Sequence, residues 1–585
     1  MQLLKPLRCQ VLLLMLTLAT TLAGGLVSPA ALAAQDISIY SGMATARPVW
    51  AKHGMVASQE ALASQVGVDI LKQGGNAVDA AIATAYALAV TFPEAGNIGG
   101  GGFMLIHLAK DNKDIAIDYR EVAPLKAHRD IFLDKNGNAD PKLSQEHGLS
   151  VGVPGTVMGM ELARKKYGTM SRQQLLAPAI KLAKEGYAVT PDLAESLTEL
   201  KDYITQWPSS REIFYKADGS NYAPGEWFKQ PELAHSLELI SDKGADGFYQ
   251  GETAQKIVAA IQHAGGVMTL ADLQHYQVYE RIPVTGNYRG YQVISMPPPS
   301  SGGIHLIEIL NILENFPIGE LGHNTAATIH LMAEAMKQAY ADRSEYLGDP
   351  AFVKVPVASL ISKAYAKAIA ERIQPDKVVP SSDIAPGKLA PYESDQTTHF
   401  SVVDQWGNAV SNTYTLNFSY GNGLVAKGTG ILLNNEMDDF SAKPGVPNGY
   451  GLVGGDANAV EAKKRPLSSM TPTIITKDGQ LFMVTGSPGG ARIITTVLQI
   501  VMNVIDHHMN IAEATAAPRI HHQWLPDEIR VEKSLNLDTI HLLQKMGYTI
   551  SVKPAMGSTQ TIMVSADGRY GASDPRYANS GAVGY

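Results

Sequence analysis

The texture of the chain changes abruptly at residue 397, and that change limits the folds open to it. Residues 376 to 396 are rich in Pro, Ser, Asp and Gly and have little periodicity, the composition of an exposed linker. From Thr397 the pattern is β: Thr397 to Asp404 reads as a strand, Gly407-Asn408 as a turn, and Ala409 to Leu416 as the returning strand. Further strands are expected at Gly430 to Asn434, Thr473 to Thr476 and Leu481 to Thr485. The last runs through Gly486-Ser-Pro-Gly-Gly490 into a helix over Ala491 to Ile505. Residues from about 150 to 375 read as mostly helical, punctuated by Pro154-Gly155, Pro297 to Pro299 and Gly302-Gly303. The expectation is a helical first part, a loose junction and a sheet-rich second part.

Near the start, Ser58 to Gln73 has helical spacing and stops at Gly74-Gly75. Asn76 with Asp79 forms a capping-box signature. The helix it opens, Ala77 to Phe92, is alanine-rich on every face and so must be buried all round. Gly99 to Gly102 then lead into a hairpin, Phe103 to Ala109 and Ile115 to Arg120. A dinucleotide loop would run strand, glycines, helix; here the order is reversed. Close backbone packing is the better reading of the glycines.

At 585 residues the chain is long enough for several domains or one large multilayer fold. A net charge of -8 with no long basic run argues against nucleic acid as a partner. Residues 1–34 have the order of an export signal: Lys5 and Arg8, an apolar core from Val11 to Leu22, and the small residues Ala31 to Ala34. The apolar run is too short for a membrane anchor, and nothing later is long enough to span a bilayer. Cys9, the one cysteine, lies inside the signal. The mature protein is expected to be periplasmic or secreted, without disulfides, a cysteine nucleophile or thiolate-bound metal.

Thr397 by itself is an ordinary strand residue. Cleavage of the loose segment before it would make it a new amino terminus. Its α-amino group, with a pKa of about 7.7–8.0, could then take the hydroxyl proton near neutral pH. His399 shares its face of the strand, but two residues of strand put the Cα atoms ~6.5 Å apart. A structural, hydrogen-bonded histidine is the expectation there. The turn Gly486 to Gly490 offers backbone N–H groups at a helix start for an oxyanion. No Gly-x-Ser-x-Gly elbow, His-Glu-x-x-His motif or P-loop occurs. The pairs His507-His508 and His521-His522 read as surface or supporting groups, since adjacent side chains do not converge on one metal.

Together, Gln396 to Asp404, Leu432 to Phe440, Arg465 to Met470, Thr485 to Gly490, Gly96 to Leu105 and Asp118-Tyr-Arg120 resemble the gamma-glutamyltranspeptidase family across essentially the whole mature chain. The resemblance implies an α/β (α+β) N-terminal-nucleophile hydrolase fold, a four-layer αββα sandwich. It also implies a precursor that cuts itself between Gln396 and Thr397 into a large subunit (35–396) and a small one (397–585).

By the same resemblance, Thr397 attacks the γ-glutamyl amide of glutathione and related compounds and passes the acyl group to water or an amino acid or peptide. Gly489 and Gly490 would hold the oxyanion, and Thr415 would assist Thr397. Arg120, Ser468 and Ser469 would bind the α-carboxylate; Asn417, Glu436 and Asp439 the α-ammonium. Glu436 stands where some bacterial members carry Gln. Pro444 to Gly455, with Tyr450, resembles a lid. No cofactor or metal is implied, and the partners are small molecules. The alternatives are a cephalosporin or glutaryl acylase of the same fold and an exported binding homologue without catalysis.

Overall fold

The computed structural model describes residues 45–385, 397–449 and 451–585. The export signal, Gln396 and Tyr450 lie outside the described residues. Two seven-stranded antiparallel sheets lie face to face. The first runs, edge to edge, Gly581–Gly584, Met55–Ser58, Thr398–Val403, Ala409–Thr415, Gly101–Leu108, Lys113–Tyr119 and Tyr279–Arg281. The second runs Val49–Ala51, Gly568–Ser573, Gln560–Ser565, Gln480–Thr485, Thr473–Lys477, Tyr291–Ser295 and Val284–Tyr288. Helices Ala61–Lys72 and Ala77–Thr91 cover the outer face of the first sheet. Helix Gly302–Leu313 covers the second and packs on Ala326–Tyr346 and Ile493–Ile505. This is the expected αββα sandwich.

Strand periodicity assigns each side chain to a layer. Phe400 and Val402 join the apolar cluster on the helix side, and Val403 joins the one between the sheets. His399 and Ser401 also face inward. The His399 ring lies 2.8 Å from Thr413 Oγ1 and 3.1 Å from Ser401 Oγ, and Ser401 Oγ donates to the Gln560 carbonyl at 2.8 Å. Ser411 Oγ donates to the Thr485 carbonyl at 2.9 Å. The sheets are therefore tied together by hydrogen bonds as well as apolar contact.

The first part is mostly helical and the second sheet-rich, as expected, but the two do not fold into separate halves. Both sheets take strands from each side of residue 397. The region expected to be helical contains the hairpin Val284–Tyr288 and Tyr291–Ser295, which turns at Arg289 (φ 48°) and Gly290 (φ 85°). Two successive positive φ values are the mark of a tight hairpin turn. The first helix begins at Ala61 rather than Ser58, because Met55–Ser58 already pairs with Phe400 to Val403. Glu60 caps it, accepting from the Leu62 and Ala63 N–H groups at 3.0 and 2.9 Å. Asn76 and Asp79 form the expected capping box.

The early glycines are required by packing. A Cβ at Gly99, Gly100 or Gly102 would stand 2.0–2.4 Å from the carbonyl oxygens of Leu432, Thr415 or Thr413. The start of the expected linker is also anchored: Ser381 N donates to Asp527 at 2.8 Å, and the Trp524 indole donates to the Ser381 carbonyl at 2.9 Å. His521 and His522 are interior rather than surface residues; the His521 ring bonds Thr495 Oγ1 and Gln523 Oε1.

A buried polar network joins the helices behind the second sheet. His305 Nδ1 lies 2.7 Å from Glu308, and Tyr365 donates to Asp342 at 2.7 Å. Burial pushes Glu308 up to about 8 and His305 down to about 3; burial, with Glu308 beside it, brings Asp342 up to about 7. Folded Glu308 thus keeps its proton to a higher pH than the unfolded chain does. The stability it contributes is full below about 4.5 and is lost as pH rises through about 8. The Glu308→Gln variant carries the neutral form at every pH. Its thermal midpoint is expected to match the parent at pH 5 and to exceed it by ~2 °C at pH 8.5. An equal loss at both pH values would contradict the neutral assignment.

Candidate active site

Thr397 immediately precedes the central strand Thr398–Val403 and is buried. The register pairs Thr398 with Tyr414 and so sets Thr415, the last residue of the neighbouring strand, opposite Thr397. Thr415 Oγ1 accepts from the Asn417 N–H at 2.8 Å. Asn417, at φ 78°, turns its side-chain amide to the Asn435 carbonyl at 3.0 Å. That contact brings the strand end to the short 3-10 turn Glu436–Asp439. Asn434 fixes this turn. Its amide donates to the carbonyls of Gly99 and Gly152 at 2.9 Å, and its oxygen accepts from Glu436 N at 3.0 Å.

Arg120 follows the strand Lys113–Tyr119. Its N–H is held by Asp118 at 3.0 Å and its carbonyl by the Tyr276 hydroxyl at 2.8 Å. Ser468 is anchored through its N–H to the Pro299 carbonyl at 2.9 Å. Gly489 and Gly490 have φ of 130° and 52°, a geometry that L side chains resist. They precede the turn into helix Ile493–Ile505, where backbone N–H groups lack intrahelical acceptors.

Of the expected site residues, Arg120, Thr397, Thr415, Asn417, Glu436, Asp439, Ser468, Ser469 and Gly490 line one cavity of about 20 Å³. Leu452, Met470 and Ile493 complete its wall. Gly489 lines instead a neighbouring cavity of about 730 Å³, whose wall also includes Glu94, Asp192, Glu195 and Glu199. The glycine pair stands between the two spaces. The Pro444 to Gly455 loop lies against the small cavity: Asn448 donates to Asp439 at 3.3 Å, and Gly449 N to Asp438 at 2.9 Å.

The cavity is small because Arg120 is already partnered. Its Nη1 donates to Glu436 and its Nη2 to Asp439, while Nε and Nη2 donate to the Pro466 and Leu467 carbonyls at 3.2 Å. The carboxylates expected to hold a ligand's ammonium therefore pair with the arginine expected to hold its carboxylate. A buried guanidinium demands such partners. Glu121, 3.9 Å from Arg120 Nη1, adds a third buried carboxyl. Burial raises the pKa of Glu121, Glu436 and Asp439, and Arg120 opposes the rise. Desolvation acts to lower Arg120, but Glu436, Asp439 and Glu121 together hold it above its ordinary value.

His399 does not reach this cavity's chemistry. Burial lowers it to about 3, so it is neutral near pH 7. A Cβ at Gly486 would stand 2.3 Å from its ring, so the glycine there makes room for the histidine. Sequence reasoning missed Glu121 and Arg343. Glu121 carried no signal beyond adjacency to Arg120. Arg343 carried only a weak signal, as one of the charged residues Glu334, Lys337 and Arg343 that recur at multiples of three along one helix, and nothing local marks it as buried.

The sequence model of the gamma-glutamyltranspeptidase family matches residues 63–584. The chain is 60% identical over 540 residues to the glutathione hydrolase proenzyme of Escherichia coli (strain K12), covering 92% of this chain and 93% of that one. It is 50% identical over 554 residues to that of Pseudomonas sp. (strain A14), covering 93% and 96%. Among solved structures, the cephalosporin acylase of Bacillus halodurans superposes with a TM-score of 0.82 at 30% identity, over 95% of this chain and 99% of that one. The gamma-glutamyltranspeptidase of Helicobacter pylori matches with a TM-score of 0.55 at 54% identity, over 56% of this chain and 93% of that one. The sandwich is thus the N-terminal-nucleophile hydrolase fold. With the matched family taking in all but one strand of each sheet and every lining residue of the small cavity, the chain belongs to the gamma-glutamyltranspeptidase family.

Proposed function

We propose that this chain is a self-processing γ-glutamyl hydrolase and transferase whose nucleophile is Thr397. One observation carries the reading: a single buried cavity joins the Thr397 side chain to a set of residues carrying both signs of charge, Arg120, Glu436 and Asp439. A γ-glutamyl group ends in an α-carboxylate and an α-ammonium, so a donor of this class can exchange both ends with the internal ion pair at once. The Escherichia coli and Pseudomonas relatives are both glutathione hydrolase proenzymes by name, which supports both the donor class and the precursor.

In the precursor, Thr397 Oγ attacks the Gln396 carbonyl carbon, and water hydrolyses the resulting ester. This leaves a Gln396 carboxylate and a free Thr397 amine. The products would be a signal at 1–34, a large subunit of 35–396 and a small one of 397–585. They stay together because strands from both form each sheet: Ser401 pairs with Ala57 on one side and, through Ser411, the sheet continues to Leu105. In turnover the Thr397 amine takes the hydroxyl proton as Oγ attacks the γ-carbonyl carbon. The N–H groups of Gly489 and Gly490 receive the oxyanion. The amide C–N bond breaks, the departing amine takes the proton, and a glutamyl ester remains on Thr397. Water or an amine, reaching it from the wide cavity beyond Gly489, releases the acyl group and restores the hydroxyl. His399, neutral and bonded to Thr413 and Ser401, takes no proton in this scheme. Tyr450 would belong to the lid. The export signal supports action outside the cytoplasm.

The cephalosporin acylase neighbour shares the fold, but the 60% identity to a glutathione hydrolase proenzyme favours the γ-glutamyl donor. The purified parent is expected to run as two chains on a denaturing gel, with Thr397 at the amino terminus of the smaller. The Thr397→Ala variant should stay full length; two chains in that variant would refute self-cleavage at this bond. The parent should hydrolyse γ-glutamyl-anilide at least ~100-fold faster than glutaryl-anilide, because a glutaryl group leaves Asp439 and Glu436 without their cation. Equal turnover would move the assignment to an acylase. Arg120→Lys should raise KM about tenfold while changing kcat far less, since a lysine cannot replace the bidentate fork. An unchanged KM would contradict its role.

A further inference from the structure

Arg120 is not the only guanidinium at the donor pocket. Arg343, on helix Ala326–Tyr346, is buried and makes no ion pair among the described residues. Its Nε donates to Ser301 Oγ at 2.9 Å and its Nη2 to Ser469 Oγ at 3.1 Å. Arg343 and Asp439 act on each other electrostatically, and Arg343 is also repelled by Arg120. Desolvation, the largest effect, brings Arg343 down to about 10, so it still carries its charge at neutral pH. A buried cation whose hydrogen bonds go only to hydroxyls is costly unless something negative joins it.

The hydrogen-bond directions show what that something is. A serine hydroxyl has one proton and two lone pairs. Ser469 Oγ accepts from Arg343, and no acceptor for its proton is found among the described residues. It lines the cavity, so its O–H is available to donate there. Ser468 Oγ likewise accepts from the Met470 N–H at 3.1 Å and lines the same cavity. Ser301 Oγ, engaged by Arg343 Nε, donates to the Ser468 carbonyl at 2.8 Å, and Ser301 N donates to the same oxygen at 2.8 Å. The turn after Pro297 to Pro299 thus clamps the Ser468-Ser469 backbone, and Arg343 grips both sides of the clamp. Two hydroxyl donors backed by a cation with no carboxylate of its own form a receptor for an anion.

We propose that Arg343 is a positioning and specificity-determining residue: it orients Ser469 and, through Ser301, Ser468, and it supplies a positive charge, in contact with no carboxylate among the described residues, that selects acyl donors bearing an α-carboxylate. Arg120 is shared with Glu436 and Asp439. Arg343 is what keeps the pocket attractive to an anion while that pairing persists. The assignment rests on the γ-glutamyl reading above and divides the head group between two sets of residues.

The test uses three anilides: γ-glutamyl; glutaryl, which lacks the ammonium; and 4-aminobutyryl, which lacks the carboxylate. They are assayed on the processed parent, Arg343→Gln and Arg343→Lys. Arg343→Gln should raise KM for the γ-glutamyl substrate about tenfold with kcat within about threefold, the loss expected for one charge-assisted contact. Its preference for γ-glutamyl over 4-aminobutyryl should fall by about tenfold, while its reaction with 4-aminobutyryl-anilide stays near the parent's. Arg343→Lys, which keeps the charge and loses the fork, should recover part of the KM. Ser469→Ala in the Arg343→Gln background should add little to the single variant, because the two act as one unit. Equal losses on all three substrates, full additivity with Ser469→Ala, or an unchanged KM would overturn the proposal and leave the γ-glutamyl assignment standing. A parent inactive on the γ-glutamyl substrate would overturn both.

Discussion

The strand Thr398–Val403 is hydrogen-bonded along both edges, to Met55–Ser58 on one side and to Ala409–Thr415 on the other. The position of Thr397 follows from that pairing. A one-residue slip would turn Thr397 from the inner face to the helix side and bring Thr398 inward. The alternation of His399 and Ser401 with Phe400 and Val402 forbids the slip. It would send an apolar ring into the polar layer beside Thr413 and Gln560 and bury a histidine among the alanines of Ala77–Thr91. The proposed nucleophile is therefore positioned by a strand that is paired along both edges.

That constraint explains why the end of the strand was legible in the sequence and much of its setting was not. The alternation after Thr397, the capping box at Asn76 and the all-round apolar helix Ala77–Thr91 are local signals, and each has a local physical cause. The hairpin around Arg289-Gly290 was hidden because its strands are short and lie between long helices. The strands Gln560–Ser565 and Gly568–Ser573 form a hairpin with each other, but they meet their other neighbours, Gln480–Thr485 and Val49–Ala51, across large sequence separations, which no local pattern encodes. The motifs resembling the family brought nine site residues to one cavity, yet nothing local indicates that Arg120 and Asp439, 319 residues apart, are bonded to each other. Arg343 and Glu121 act through buried charge, and burial depends on which elements cover them.

Buried charge is also what gives the donor pocket its logic. The guanidinium of Arg120 stands among the carboxyls of Glu121, Glu436 and Asp439, with Arg343 acting on Asp439, in surroundings that are mostly buried. A neutral zwitterion leaves the total charge of such a cluster unchanged, whereas a ligand with one charge does not. Taking a lone carboxylate or a lone ammonium would strand a partner of the opposite sign, and a stranded buried charge costs several kcal/mol. Discrimination against half of the head group thus comes from pairing that already exists in the protein.

The same economy decides where proton transfer takes place. His399 is the one histidine on the strand of Thr397, yet it is fixed between Thr413 and Ser401, lies under Gly486, and is held neutral by burial. Its ring nitrogens already have partners, so using it as a base would break its bonds to Thr413 and Ser401. A base created at Thr397 by cleavage requires no such sacrifice. In the proposed scheme it lies on the nucleophile's own residue, and it comes into being only when the Gln396–Thr397 bond is broken. Processing and activity are then coupled by covalent structure, without a separate switch.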